Sequence, residues 1–84
     1  MTTQQHNQLL LASEIRIETT ETGSGHWELK GYFSTDDGEV VIRKSTTDSE
    51  LVCALNDKNE NTERIEEATQ IAISQLINYG TILQ

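Results

Sequence analysis

The sequence predicts an α+β fold of two layers: an antiparallel β-meander of three to four strands, with one long C-terminal helix packed across one face. Three observations carry this reading. Residues 61–80, NTERIEEATQIAISQLINYG, repeat apolar side chains at helical spacing. Residues 14–45 hold three runs of alternating polarity, the signature of half-buried strands. Gly23-Ser24-Gly25 and Asp36-Asp37-Gly38 punctuate those runs as turns. At 84 residues the chain is read as one small domain.

Residues 1–8, MTTQQHNQ, are polar and read as a flexible arm. The leucines that follow, over 9–11, either extend the first strand or close a helical or irregular lead-in over residues 3–12; the second reading is preferred. Residues 14–22 alternate, with Ile15 and Ile17 facing one way and Glu14, Arg16 and Glu18 the other. Residues 26–34, HWELKGYFS, form the second strand. Trp27 and Phe33 are assigned to its core face, and Gly31 marks a bulge or a close backbone approach. Glu28 and Lys30 are expected to pair with Arg16 and Glu18 across the hairpin. Asp-Gly suits the tight turn into a third strand over 39–45, with Val40 and Ile42 inward.

Residues 46–61 admit two readings. Leu51, Cys53 and Leu55 alternate with Val52 and Ala54, which suits a fourth strand, the preferred reading. Thr47-Asp48-Ser49-Glu50 also has the spacing of a capping box, which suits a short helix. Cys53, within this apolar run, is expected to be a small buried side chain.

In the terminal helix Ile65, Ala68, Thr69, Ala72, Ile73, Leu76 and Tyr79 share one face, and Glu63, Glu66, Glu67, Gln70, Ser74 and Asn78 the other. Asn61 or Thr62 caps its start. Gly80 ends it through the left-handed conformation that glycine tolerates. Ile71 falls off the stripe and Ile77 at its edge, so both are candidates for packing under the tail or against a sheet rim, or for contact with a partner. The tail, Thr81-Ile82-Leu83-Gln84, folds back on the sheet or reaches outward.

Charge is the strongest global feature: 14 Asp and Glu against 6 Lys and Arg, a net of −8. Such a field disfavours direct binding to phosphate backbones, which rests on cations, and to anionic membranes. It favours a basic protein partner. The single cysteine excludes an internal disulfide and fits a reducing, cytoplasmic setting. No signal peptide or membrane-spanning run is read from the sequence.

No catalytic, cofactor-binding or metal motif emerges. Asp36-Asp37 and Glu66-Glu67 are carboxylate pairs without a pocket to shift their pKa values. Asp57-Lys58-Asn59-Glu60-Asn61 alternates oxygen ligands but lacks the glycine and closing glutamate of a calcium loop. Candidate partner-binding residues are Glu63, Glu66 and Glu67 on the helix, Asp36, Asp37 and Glu39 at the turn, Tyr32 on the sheet, and Ile71.

With a helical lead-in, the order helix, three strands, helix resembles the double-stranded RNA-binding domain. At the start of the last helix, where that family presents basic side chains, this sequence places Glu63, Arg64, Glu66 and Glu67. In size and acidity the chain is similar to the small inhibitors carried by phages, anti-CRISPR proteins and DNA mimics among them. That resemblance implies a non-enzymatic, cytoplasmic inhibitor of a nucleic-acid-binding protein. The alternative is a structural or self-associating subunit, a homodimer for example, using Ile71, Ile77 and the tail.

Overall fold

The structure, a computed structural model, describes residues 9–83. The arm expected over 1–8, and the part of the helical lead-in expected over 3–8, lie outside these residues. Strands β1 (Glu14–Gly23), β2 (His26–Thr35) and β3 (Gly38–Thr46) form an antiparallel meander. Helices α1 (Ser49–Leu55) and α2 (Thr62–Tyr79) follow, and β4 (Thr81–Ile82) closes a four-stranded sheet of order β1-β2-β3-β4. The α+β class expected from the sequence is therefore present.

The two turns rest on glycine where the backbone needs it. Gly25 adopts φ 74° between β1 and β2, and Gly38 φ 116° at the start of β3. Thr35 ties the second turn: its hydroxyl donates to the Gly38 carbonyl at 2.7 Å and accepts the Asp37 amide at 3.2 Å. The ladder slips only between Glu21 and Gly23, so Gly31 is not at a bulge. It marks a close approach instead. A Cβ at position 31 would lie 2.7 Å from Leu76 Cδ1 on α2 and 2.7 Å from the Phe33 ring.

One face of the sheet is the core face. Ile15, Ile17, Leu29, Phe33, Val40 and Ile42 stand in register there, and Leu29, Phe33 and Ile42 are fully buried. Ala68, Ala72, Leu76 and Ile77 of α2 cover them. The stripe is thus rotated from its expected position. Ile77 belongs to the core and is not available to a partner, whereas Tyr79 leaves the stripe at 76% exposure. Leu9 and Leu10 are helical rather than an extension of β1, and Leu9 is buried in the core that also holds Leu29 and Phe33.

The preferred strand over 51–55 is a helix. Asp48 caps it, accepting the Leu51 amide at 3.0 Å; the cap sits one residue later than the Thr47 of the expected box. Helical geometry turns Leu51 and Val52 inward together, which a strand cannot do. It also turns Cys53 outward, so the thiol is exposed rather than buried. The fourth strand is the tail, which pairs Ile82 with Ile42 and Thr81 with Arg43.

Asn61 caps α2 as expected, accepting the Arg64 amide at 3.2 Å. Gly80 ends the helix for a different reason from the expected one. Its backbone is extended at φ −80°, not left-handed. Glycine is required because a Cβ would collide with Ile42 Cγ2 and the Leu76 carbonyl oxygen. Among the described residues, no helix is long and apolar enough to cross a membrane.

Candidate functional site

The residues expected to bind a partner fall on two surfaces. Glu63, Glu66, Glu67 and Ile71 belong to the helix layer. Tyr32 and Glu39 lie on the outer face of the sheet, with Asp36 and Asp37 at the hairpin tip beside it.

The helix layer carries most of the charge imbalance. Between residues 48 and 67 there are seven carboxylates and two cations, a net of −5 out of the chain's −8. One of those cations, Arg64, is 3.3 Å from Asp57. Residues 68–84 carry no charged side chain. The acidity is therefore concentrated at α1 and the opening turns of α2. Glu63 and its neighbours are placed there for a local reason, because a helix N-terminus favours negative charge. Glu63, Glu66 and Glu67 are all exposed.

A depression of about 310 Å³ runs between the two helices. Exposed Asp48, Glu50 and Glu67 border it, and buried Leu51 and Ala68 form its floor. Ile71 lines it as well and is 51% exposed. The tail does not cover Ile71, since the tail is occupied as β4. Arg64 lines the depression as well, so this layer offers an apolar side chain among three carboxylates and one guanidinium, the latter paired with Asp57.

The loop between the helices is built by Asp57. Its carboxylate accepts the amides of Asn59 at 3.3 Å and Asn61 at 3.1 Å, and a guanidinium N–H of Arg64 at 3.3 Å. Glu60 sits in the left-handed region at φ 54° within that loop. The alternation that resembled a calcium loop therefore serves the backbone. Among the described residues, no group of three or more His, Cys, Asp or Glu is gathered for a metal ion.

The outer sheet face is more balanced. Arg16 stacks on Tyr32 with its guanidinium carbon 4.1 Å from the ring centroid. The expected cross-strand ion pairs are replaced by pairs along each strand: Arg16 with Glu18 at 3.3 Å, and Lys30 with Glu28 at 3.9 Å. Stacking on Tyr32 draws Arg16 off the cross-strand path, and Tyr32, not a carboxylate, is its partner in register. Glu18 accepts a hydrogen bond from the Tyr32 hydroxyl, which raises that phenol's pKa above its ordinary 10.0; partial desolvation and the charge of Glu18 push the same way, and Arg16 opposes them. Tyr32 is thus half-buried beneath Arg16 rather than a free anchor.

Sequence reasoning missed a broader depression, about 710 Å³ at the far end of the sheet. Trp27, assigned to the core, is only half-buried and lines it with His26, Lys44, Gln75 and Tyr79. The signal was present in β3: the inward row Val40, Ile42 continues as Lys44 and Thr46, so the core face turns polar at that end.

No protein-family model, no curated protein and no solved structure matches the chain.

Proposed function

We propose that the chain is a non-enzymatic binding protein whose helix layer docks on a basic surface of a protein partner. A nucleic-acid-binding protein is the class that offers such a surface, and occupying it makes the chain an inhibitor. This is the role that anti-CRISPR proteins and DNA mimics play. The observation that carries the reading is Ile71, half exposed in a depression bordered by Asp48, Glu50 and Glu67. Carboxylates steer a cationic partner and set specificity; an apolar side chain beside them supplies the desolvated contact that holds it. The hairpin acids Asp36, Asp37 and Glu39 belong to the sheet layer and add to the long-range field rather than to this contact.

Competition tests this. The partner copurified from the native cell is titrated with the chain in the presence of the nucleic acid that the partner binds. Mutually exclusive binding, weakening steeply with salt, is expected. A ternary complex with both bound at full affinity would contradict the inhibitor reading.

A further inference from the structure

β1 joins the core through Ile15 and Ile17 and the helix layer through Thr19, whose hydroxyl accepts from the Asn56 side-chain amide at 2.9 Å, but among the described residues its outer backbone edge pairs with no strand. β1 is ten residues long, and among the described residues only β2 pairs with it. Its backbone groups can be assigned to one side or the other. The Leu83 amide donates to the Val41 carbonyl at 2.7 Å, so Val41 turns its backbone groups toward β4. Backbone direction alternates along a strand. Val40 and Ile42 therefore face β2, where their partners are Phe33 and Gly31. Lys30 and Tyr32 then face β1, where their partners are Glu18 and Arg16. It follows that Ile15, Ile17 and Thr19 turn their N–H and C=O groups outward, to the free edge.

Such an edge templates another strand unless charge, proline or a bulge blunts it. β1 has no proline, its irregularity is confined to its end, between Glu21 and Gly23, and its charges, Glu14, Arg16, Glu18 and Glu21, are of both signs, so they restrict pairing to a register that matches them. The geometry points to antiparallel pairing of β1 with β1 of a second copy, about a two-fold axis at Ile17, to give one continuous eight-stranded sheet.

The charges select that register. With Ile17 opposite Ile17 of the second copy, Arg16 faces Glu18 and Glu18 faces Arg16, while Glu14 faces Thr20. These are non-hydrogen-bonded positions, where side chains approach most closely. Moving the axis to residue 16 sets Arg16 against Arg16 and Glu14 against Glu18. Moving it to residue 18 sets Glu18 against Glu18. Both slips oppose like charges, which destabilises a sheet pair. A two-fold contact must be self-complementary, and the order Arg16-Ile17-Glu18 is so about its own centre. On the core face, half-buried Ile15 and Ile17 of each copy would gain apolar cover across the axis.

The test needs only the chain itself. Sedimentation from low to high micromolar concentration, with amide exchange read in parallel, is expected to show a dimer in which the Ile15, Ile17 and Thr19 amides become protected as the dimer forms. Arg16→Glu and Glu18→Arg should each raise the dissociation constant by about tenfold or more, through like-charge opposition. The double variant R16E/E18R should restore the dimer. A monomer throughout, or a dimer whose three amides exchange freely, would overturn the proposal. So would dimers unaffected by either single change, or folded single variants that the double change fails to rescue. If a single variant loses its fold, the exchange pattern of the unaltered chain still decides. No partner protein enters the experiment, so its outcome is separate from that of the inhibitor reading.

Discussion

Gly31 and Leu76 meet with no space between them: a Cβ on the strand residue would stand 2.7 Å from the Leu76 Cδ1 of the helix. This contact sets how closely α2 approaches the sheet. Gly31→Ala is expected to lower stability by about 1–3 kcal/mol through overpacking. The measurement is a denaturant titration, with a lower midpoint and an unchanged slope. Gly80→Ala should lose more, because it meets the Leu76 carbonyl, which cannot rotate away as a side chain can. Equal stability of both variants with the parent would show that the helix has room to shift.

One side chain opens helix α1. Asp48 accepts the Leu51 amide at 3.0 Å, and seven residues make a helix too short to persist by propensity alone. Asp48→Ala is expected to cost about 1 kcal/mol, the usual worth of a cap. Faster exchange of the Leu51 amide should accompany it. A loss seen only at distant amides would argue that α1 is held by packing instead.

The Asp57 loop gives a comparison between two partners of one contact. The Asp57 side chain is 5% exposed, and Arg64 is 49% exposed. Asp57→Ala leaves the Asn59 and Asn61 amides without their acceptor, an expected loss of about 1–3 kcal/mol. Arg64→Ala removes only an exposed ion-pair partner, an expected loss below about 1 kcal/mol. Thermal or denaturant unfolding of the two variants checks the order, and a larger effect at Arg64 would reverse this assignment of roles.

Tyr32 offers a spectroscopic readout of the outer sheet face. Its phenol is held protonated mainly by the hydrogen bond to Glu18. In a Tyr79→Phe background, phenolate absorbance should report Tyr32 alone, titrating above its ordinary 10.0. Glu18→Gln should move that titration down. The sign for stability follows. The unfolded phenol ionises near its ordinary value while the folded one stays protonated. The contribution is therefore complete below that pH and is lost as pH rises through the raised value. A Tyr32 titration unmoved by Glu18→Gln would place the cause elsewhere.

Legibility from sequence followed the range of the interaction involved. The meander was readable because turns at Gly25 and Gly38, and the alternation between them, are decided within a few residues. The α2 start at Asn61 was readable for the same reason. α1 was not, because the five residues Leu51 to Leu55 satisfy a period of two and of 3.6 equally, and the cap at Asp48 decides between them. The exposure of Cys53 follows from that one choice. Ile77 and Tyr79 exchanged roles because the sheet beneath α2, not the helix's own stripe, determines which side chains are covered. β4 needed tertiary knowledge altogether, since a two-residue strand exists only where Ile42 and Arg43 receive it. For the candidate site, the clustering of acid at the start of α2 was visible along the chain. The meeting of Asp48 and Glu50 with Glu67 at one depression was not, because it depends on α1 being a helix.

On the proposed reading, the acidic helix layer that includes Ile71 holds the partner. The most direct measurement is the affinity of the purified partner, at several salt concentrations, for the chain and two charge-reversed forms: E63K/E66K/E67K on the helix and D36K/D37K/E39K at the hairpin. The helix form is expected to bind at least about tenfold more weakly, with a flattened salt dependence, and the hairpin form only slightly more weakly. Unchanged affinity and salt dependence in a folded helix form would contradict the account.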